Sequence, residues 1–264
     1  MSRAALDSPA RALTIPEDPA ARLAFTDRGV GNVSLAVGGG DAAAARERVA
    51  ALVGLRADDA VYMEQTHGAG VAVVGPDDRG RGLRRRSDAV AGADAIVTRA
   101  PDVALVVLVA DCVPVLLVDP GRAVAAVHAG RRGVATGVVG ASVAVMTDAP
   151  ERVVAVVGPA IGGCCYELPR EVVDAVAEVV PTARTETRRG TPALDLPAAV
   201  REQLAVAGVA TVRTYGACTR CHPQRWFSHR GDAPETAGRQ AGVVCRRRAP
   251  ETPFDLPGGR GGVA

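Results

Sequence analysis

Three residues with metal-binding side chains lie beside strand-like runs in this 264-residue chain, which has only four histidines and six cysteines. His67 precedes a short apolar run, His128 ends another, and Cys112 separates two runs rich in Val and Leu. Two histidines and one cysteine leave one position of a tetrahedral ion open, as in catalytic rather than structural zinc sites. Spacing alone favours three separate roles, a loop histidine, a buried thiol and a turn residue, because no local ligand pair is present.

Two glycine-rich turns follow strand-like runs and offer backbone N–H groups to an anion. They cover residues 128–133 and 158–163, and tight packing of a turn explains each of them equally well. Arg132 stands in the first turn, beside the second histidine, and its planar guanidinium suits a phosphate or a carboxylate. Arg230 lies in an arginine-rich segment near the C-terminal end. This segment is the best candidate for the rim of an anionic substrate site.

A further cysteine motif lies near the C-terminal end of the chain. Cys218, Cys221 and His222 match the C-x-x-C-H pattern of haem attachment, which belongs to exported proteins. Residues 1–20 contain no apolar core of signal-peptide length, so no export is expected. A zinc site from Cys218, Cys221 and His229 is a weaker alternative, because no second C-x-x-C pair occurs.

Short β-branched runs and helical spacing of apolar residues predict the elements that would position these groups. The predicted strands cover residues 71–74, 103–109, 113–118, 123–127, 153–157 and 212–215. The predicted helices cover residues 41–53, 136–146, 169–180 and 196–206. Strands and helices do not alternate strictly, and no G-x-G-x-x-G is present. We therefore predict an α/β class, a single-domain sandwich with a central mixed β-sheet flanked by helices.

Composition predicts where the domain begins and ends. The sequence between residues 21 and 246 shows no linker and no repeat, which predicts one domain. Residues 1–20 and 247–264 are rich in Pro, Gly, Arg and Ala, and they are predicted to be disordered tails. Reduced thiols and the lack of a targeting segment predict a cytoplasmic protein.

All 31 basic residues are arginine, which excludes Schiff-base enzymes, pyridoxal-phosphate enzymes and a Walker-type phosphate loop. The net charge is only +2, with 29 acidic residues among the arginines, so no nucleic-acid partner is expected. The longest apolar stretch, at residues 103–118, is interrupted by Asp111 and is too short to span a bilayer, so no membrane partner is expected.

Five segments that carry the candidate residues occur in a distinctive order. They are MEQTHGAGV (63–71), DAIVTRAPDVALVVLVADCVPVLLVDP (94–120), AAVHAGRRGV (125–134), VGPAIGGCCYEL (157–168) and CTRCHPQRWFSHRGD (218–232) with GRQAGVV (238–244). Together they resemble the laccase-domain family of bacterial proteins. Its members have been called multicopper polyphenol oxidoreductase-like proteins, peptidoglycan editing factors and purine nucleoside phosphorylases. The resemblance spans about residues 24–246.

The resemblance implies that one zinc ion, or one copper ion, binds His67, Cys112 and His128, which overturns the separate roles favoured by spacing. It also implies a compact one-domain α/β sandwich. The implied activity is phosphorolysis of adenosine, inosine and methylthioadenosine, together with deamination of adenosine. The expected partners are a small nucleoside and phosphate, and the expected assembly is a monomer or homodimer.

For such an enzyme we expect two sets of site residues. The catalytic set is Cys112, His128 and Arg132, and the substrate-binding set is Asn32, Gln65 and Arg230. The chain has only seven aromatic residues. Those left for a purine to stack on are Tyr62, Tyr166, Trp226 and Phe227. Arg131 stands where the family usually has Trp, which removes one further aromatic surface.

Four alternatives remain open. The same site could hydrolyse a wrongly built muropeptide precursor, as a peptidoglycan-editing enzyme would. A copper-dependent phenol oxidase fits the ligand types, but multicopper oxygen reduction needs more histidines than four. A metal-free hydrolase could use Cys112 as nucleophile and His128 as base. The chain could also be a metal-binding module without enzymatic activity.

Overall fold

The structure of the chain is a computed structural model that describes residue 10 and residues 12–248. The first of its two large sheets combines segments from both ends of the chain. In spatial order its strands are β1 (Leu13–Ile15), β2 (Asp18–Phe25), β13 (Gln240–Arg246), β6 (Ala104–Val109) and β3 (Ala60–Tyr62). β13 is antiparallel to β2 and β6, whereas β3 is parallel to β6, so the sheet is mixed.

The second large sheet has six strands, and it holds the most apolar runs of the sequence. In spatial order they are β12 (Thr211–Thr214), β9 (Val154–Val157), β7 (Val113–Asp119), β8 (Ala123–Ala129), β5 (Ala95–Thr98) and β4 (Val71–Val73). Its central strands pair antiparallel, and each edge strand pairs parallel with its neighbour. A separate hairpin joins β10 (Arg184–Glu186) to β11 (Pro192–Leu194).

The two sheets pack face to face, and helices cover both outer surfaces. Leu105 and Val107 of the first sheet share a buried cluster with Leu116 and Ala126 of the second. The outer face of the first sheet is covered by α1 (Ala42–Leu52). The outer face of the second is covered by α2 (Arg131–Ala135), α3 (Val138–Met146), α4 (Arg170–Ala177) and α5 (Leu196–Val206). The layers therefore run helix, sheet, sheet, helix.

Local sequence signals explain where the longer helices begin. The carboxylate of Asp41 accepts a hydrogen bond from the backbone N–H of Ala44, which caps α1. Asp195 caps α5 in the same way, through the N–H of Ala198. Pro197 occupies the first turn of α5, where no backbone donor is needed.

The predicted α/β sandwich is confirmed, with two mixed sheets in place of one central sheet. All six predicted strands and all four predicted helices are present, with small shifts at their ends. The predicted disordered tail at residues 1–20 is wrong for residues 13–15 and 18–20, which lie in β1 and β2. Residues 1–9 and 11 of that tail, and residues 249–264 of the other, lie outside the described residues. Within residue 10 and residues 12–248, no helix is long and apolar enough to cross a membrane.

Candidate metal centre and its two cavities

The structure brings His67, Cys112 and His128 together where the chain passes from one sheet to the other. His67 lies in the loop from β3 to β4, and Cys112 lies in the turn from β6 to β7, so both connections cross between the sheets. His128 is the penultimate residue of β8. One donor atom from each side chain lies within 4.8 Å of the others. The three groups can therefore bind a single ion.

The backbone around two of these ligands is held in an uncommon conformation. Gln65, His67 and Asp111 have φ angles of 56°, 61° and 81°, in the left-handed region that residues other than glycine rarely adopt. Neighbouring hydrogen bonds fix these angles. The Gln65 amide donates to the carbonyl of Leu108 at 2.7 Å and accepts from its N–H at 2.9 Å. Such strain is typical of functional sites.

Asp111 anchors the turn that carries Cys112. Its carboxylate accepts hydrogen bonds from the Thr219 hydroxyl at 2.6 Å and from the backbone N–H of Arg230 at 2.7 Å. Its carbonyl accepts a third from the N–H of Ile161 at 2.9 Å. The turn is therefore tied to the loops at residues 159–162 and 218–230.

Asp94 is the residue at this site that sequence reasoning missed. Its carboxylate accepts from Nδ1 of His128 at 2.8 Å and from the backbone N–H of His67 at 2.9 Å. It also accepts from the N–H and hydroxyl of Thr66 and from the N–H of Gly68. A carboxylate on the second nitrogen of a metal-binding imidazole fixes its tautomer and orientation. The available signal was an acidic residue directly before the fully buried strand β5.

The three buried or half-buried groups at the centre shift one another's pKa. Burial opposes the charged forms, yet the imidazole of His128 lowers the pKa of Cys112 to about 6. Against the same opposition from burial, the thiolate of Cys112 and the carboxylate of Asp94 raise the pKa of His128 to about 9. Hydrogen bonds from His128, Gly68 and Thr66 overcome burial and lower the pKa of Asp94 to about 2. The site therefore favours the thiolate, the form that binds metal.

Gly130 leaves open space beside the side chains of His67, Cys112 and His128. A Cβ atom at this position would lie 3.0 Å from Cδ2 of His67, 3.1 Å from Sγ of Cys112 and 3.5 Å from Cε1 of His128. The missing side chain thus opens a cradle that faces all three ligands. Two imidazoles and one thiolate also match the ligand types of known three-ligand zinc sites. The residues present therefore fit a divalent ion.

Two cavities meet at this centre, and both are lined by His67, Cys112 and His229. The larger cavity, of about 330 Å³, extends towards the loop at residues 34–37, Tyr62 and Arg239. The smaller cavity, of about 220 Å³, extends towards α2 and the C-terminal arginines. Its basic and aromatic lining consists of Arg131, Arg132, Arg230 and Tyr166. The centre is thus accessible from a mixed cavity on one side and a strongly basic one on the other.

The residues predicted to bind substrate differ in where they lie. Arg132 and Arg230 line the smaller cavity, and Gln65 lines the larger one although both ends of its amide bind Leu108. Asn32 lines neither cavity. Its amide accepts from the N–H of Arg239 at 2.9 Å and donates to Val37 at 2.6 Å. It therefore shapes the loop beside the larger cavity.

The aromatic residues expected to stack on a purine are either buried away from the cavities or covered on one face by a guanidinium group. Trp226 and Phe227 are buried and line neither cavity. Arg46 lies over the Tyr62 ring, 4.1 Å from its centroid, and Arg230 lies over the Tyr166 ring at 5.0 Å. Guanidinium groups thus cover a face of each aromatic ring that reaches a cavity.

The structure separates the three residues of the weaker zinc alternative. His229 lines both cavities at the His67–Cys112–His128 centre. Cys218 and Cys221 instead form a group with Cys164 and Cys165, apart from His229. The set of Cys218, Cys221 and His229 is therefore wrong as a ligand set.

Solved structures show the same fold. The crystal structure of YlmD from Geobacillus stearothermophilus superposes with a TM-score of 0.82 at 33% identity, covering 90% of this chain and 97% of that one. The crystal structure of YfiH from Bacillus licheniformis gives a TM-score of 0.81 at 29% identity, covering 92% of this chain and 98% of that one. The described fold is thus that of an established class of mixed α/β proteins.

A family profile described as Multi-copper polyphenol oxidoreductase laccase matches residues 29–247. The chain therefore belongs to this laccase-like family, as the sequence motifs indicated. A purine nucleoside phosphorylase of Streptomyces coelicolor is 44% identical over 239 residues, which cover 85% of this chain and 95% of that protein. The purine nucleoside phosphorylase YlmD of Geobacillus stearothermophilus is 38% identical over 213 residues, 76% of this chain and 77% of that protein. Relatives named as enzymes support an enzymatic function here.

Proposed function

We propose that this chain is a zinc-dependent purine nucleoside phosphorylase that also deaminates adenosine. The observation that carries the proposal is the position of the His67–Cys112–His128 centre between a basic cavity and a larger, mixed one. This arrangement provides one binding space for an anion and another for a nucleoside, with the reacting atoms at their junction. The names of the relatives support the same reaction class.

Hydrogen bonds within the protein hold two of the proposed metal ligands in place. Asp94 orients His128 through Nδ1 and fixes the loop of His67 through its backbone N–H. When bound, a zinc ion supplies a Lewis acid with one open position, at which the pKa of water falls to about 7. The low pKa of Cys112, about 6, keeps its sulfur anionic at neutral pH.

The smaller cavity is the proposed phosphate site. Arg131, Arg132 and Arg230 line it, and a planar guanidinium binds phosphate oxygens through two parallel hydrogen bonds. Because the chain has no lysine, arginine side chains supply all of the basic charge that a phosphate needs. α2 has only five residues, so the proposal rests on these side chains rather than on its N-terminus.

The larger cavity is the proposed nucleoside site. Its volume of about 330 Å³ lies within the range usual for small-molecule pockets, about 300–1,000 Å³. Leu35, Met63 and Leu108 provide apolar surface for a base. The hydroxyl of Tyr62 is buried without a hydrogen-bond partner in the described part of the chain, so a polar ligand group would satisfy it. Arg239, which is half-buried, adds a donor to the lining of the same cavity.

In phosphorolysis, a phosphate oxygen bonds to C1′ of the ribose, the bond from C1′ to the base breaks, and the purine leaves with the electron pair and takes up a proton. The arginines of the smaller cavity hold the phosphate so that it faces the nucleoside across the centre. In deamination, water adds to C6 of adenosine and ammonia leaves. Both reactions would use a nucleoside bound in the larger cavity.

The test is an assay of the purified, zinc-loaded protein with adenosine, inosine and methylthioadenosine, each with and without phosphate. We expect phosphate-dependent release of adenine or hypoxanthine, and phosphate-independent conversion of adenosine to inosine. Cys112→Ser should abolish both activities, whereas Arg201→Gln, at an exposed position of α5 outside both cavities, should change neither. A zinc-loaded protein that releases no base and forms no inosine would refute the proposal.

A further inference from the structure

Four cysteines from two distant parts of the sequence meet on one side of the molecule. The tetracysteine cluster consists of Cys164, Cys165, Cys218 and Cys221. Its first pair follows the turn at residues 158–163, and its second pair begins the loop after β12. A parallel β-bridge between Ala160 and Cys218 holds the two segments together. Backbone pairing between the two segments therefore sets the distance between the two pairs of cysteines.

The sulfur atoms lie at the separations of a metal-thiolate site. Sγ of Cys221 is 3.7 Å from Sγ of Cys164 and 3.4 Å from that of Cys165, and the last two are 3.8 Å apart. Zinc–sulfur bonds of about 2.3 Å in a tetrahedron place the sulfurs about 3.8 Å from each other. A disulfide requires about 2.05 Å, and all four cysteines are free thiols.

We propose that the tetracysteine cluster is a second metal site, which binds one Zn²⁺ ion through four thiolates. Four protein ligands complete the tetrahedron and leave no open position, which is the pattern of a structural rather than a catalytic zinc site. Thiolates prefer zinc and other soft ions over magnesium or calcium. The proposal does not depend on the activity proposed for the His67–Cys112–His128 centre.

The surroundings of the cluster suit a negatively charged zinc-thiolate group. Arg188, Arg189 and Arg220 line a cavity of about 260 Å³ that also contacts three of the cysteines. The backbone N–H of Gly162 donates a hydrogen bond to Sγ of Cys218 at 3.3 Å. A cation would supply the charge that stabilises four thiolates at neutral pH.

The cluster lies where it can stabilise the neighbouring His67–Cys112–His128 centre. The two segments that it joins also donate hydrogen bonds to Asp111, from Ile161 and from Thr219. Asp111 in turn fixes the turn that carries Cys112. A zinc ion in the tetracysteine cluster would therefore clamp the loops that position a ligand of the other centre.

The decisive measurement is zinc stoichiometry, by elemental analysis of protein equilibrated with zinc and then freed of excess metal. We expect two zinc ions per chain for the unmodified protein and one for Cys112→Ser. The double variant Cys165→Ser and Cys221→Ser should also bind one. Cys245→Ser is the matched control, because this buried cysteine lies in β13 outside both clusters, and it should bind two.

Spectroscopy of the Cys112→Ser protein identifies the ligands without requiring variants of the cluster to fold. Cobalt in place of zinc should give the intense absorption of tetrahedral cobalt-thiolate coordination, and X-ray absorption of the zinc form should show four sulfur neighbours at about 2.3 Å. A Cys112→Ser protein that binds no zinc would overturn the proposal. So would zinc bound without sulfur neighbours, or a disulfide within the cluster found by mass spectrometry.

Discussion

Replacing Gly130 by alanine tests whether the three ligands share one ion. The added methyl group would lie 3.0–3.5 Å from atoms of His67, Cys112 and His128, whereas relaxed contacts lie at about 3.5–4.0 Å. The ring of His67 and the sulfur of Cys112 must therefore retreat by roughly 0.5 Å. Ligand distances in genuine zinc sites agree with the usual values to about 0.2 Å, so a displacement of this size moves both ligands out of place. We expect the affinity of the centre for zinc to fall at least about 10–100-fold, the range that follows loss of a ligand's supporting partner.

Backbone strain would not contribute to this loss of zinc affinity. Gly130 has φ −79° and ψ 169°, an extended conformation that alanine adopts without strain. The assay is competition for zinc with a chromophoric chelator, with Cys112→Ser as the reference for zinc bound elsewhere in the chain. Gly140→Ala is the matched control, because among the described residues no atom beyond its chain neighbours and the backbone of α3 lies within 4 Å of the new methyl group. It should leave zinc binding unchanged and stabilise α3 by about 1 kcal/mol. A Gly130→Ala protein that binds zinc as tightly as the unmodified protein would refute the shared site.

Three further variants test the proposed roles of other residues. Asp94→Asn should weaken zinc binding at the centre by about 10–100-fold, because a neutral amide orients His128 less firmly; unchanged chelator competition would contradict this. Tyr62→Phe should leave the free energy of unfolding in urea unchanged or raise it, because it removes a buried hydroxyl without a partner among the described residues. The same change should raise the nucleoside KM about 2–10-fold. An unaltered KM would place this hydroxyl outside the substrate site. The double change Arg132→Gln and Arg230→Gln should raise the phosphate KM about tenfold or more, through loss of charged hydrogen bonds, with little change in the nucleoside KM. Equal effects on both KM values would argue against a separate phosphate cavity.

The elements that the sequence reveals are those with strong local signals. β6, β7 and β8 are almost continuous runs of buried Val, Leu and Ala, so their β-branched and apolar composition is sufficient. β2 and β13 were missed because each gains its place by pairing with a segment more than 200 residues away. The Ala and Arg residues of β2 also make its composition similar to that of the tail before it. A strand that is stabilised by pairing with a distant segment need not show the local alternation of apolar and polar residues from which a strand is predicted.

The same contrast holds at the candidate centre. His67, Cys112 and His128 could be singled out because their residue types are scarce and chemically specific. Asp94 could not, because it is one of 29 acidic residues and its role depends on a turn held 27 positions away in the sequence. The tetracysteine cluster was not predicted from the sequence because Cys164 and Cys165 are adjacent, a spacing that no familiar zinc motif contains. In the folded chain, contacts such as the bridge between Ala160 and Cys218 bring them together with their partners.

The crossing of two connections at the centre has a mechanical consequence. His67 and Cys112 lie in the segments that pass between the sheets, while His128 belongs to the second sheet alone. An ion bound by all three residues would link the two sheets, since the sheets could not move relative to each other without breaking a coordination bond. Its binding free energy would then add to the resistance of the sandwich to unfolding, by about 2.7 kcal/mol when free zinc stands at 100 times the dissociation constant. The melting temperature should accordingly rise with zinc concentration, and the rise should be smaller in the Cys112→Ser protein, in which only the tetracysteine cluster binds zinc.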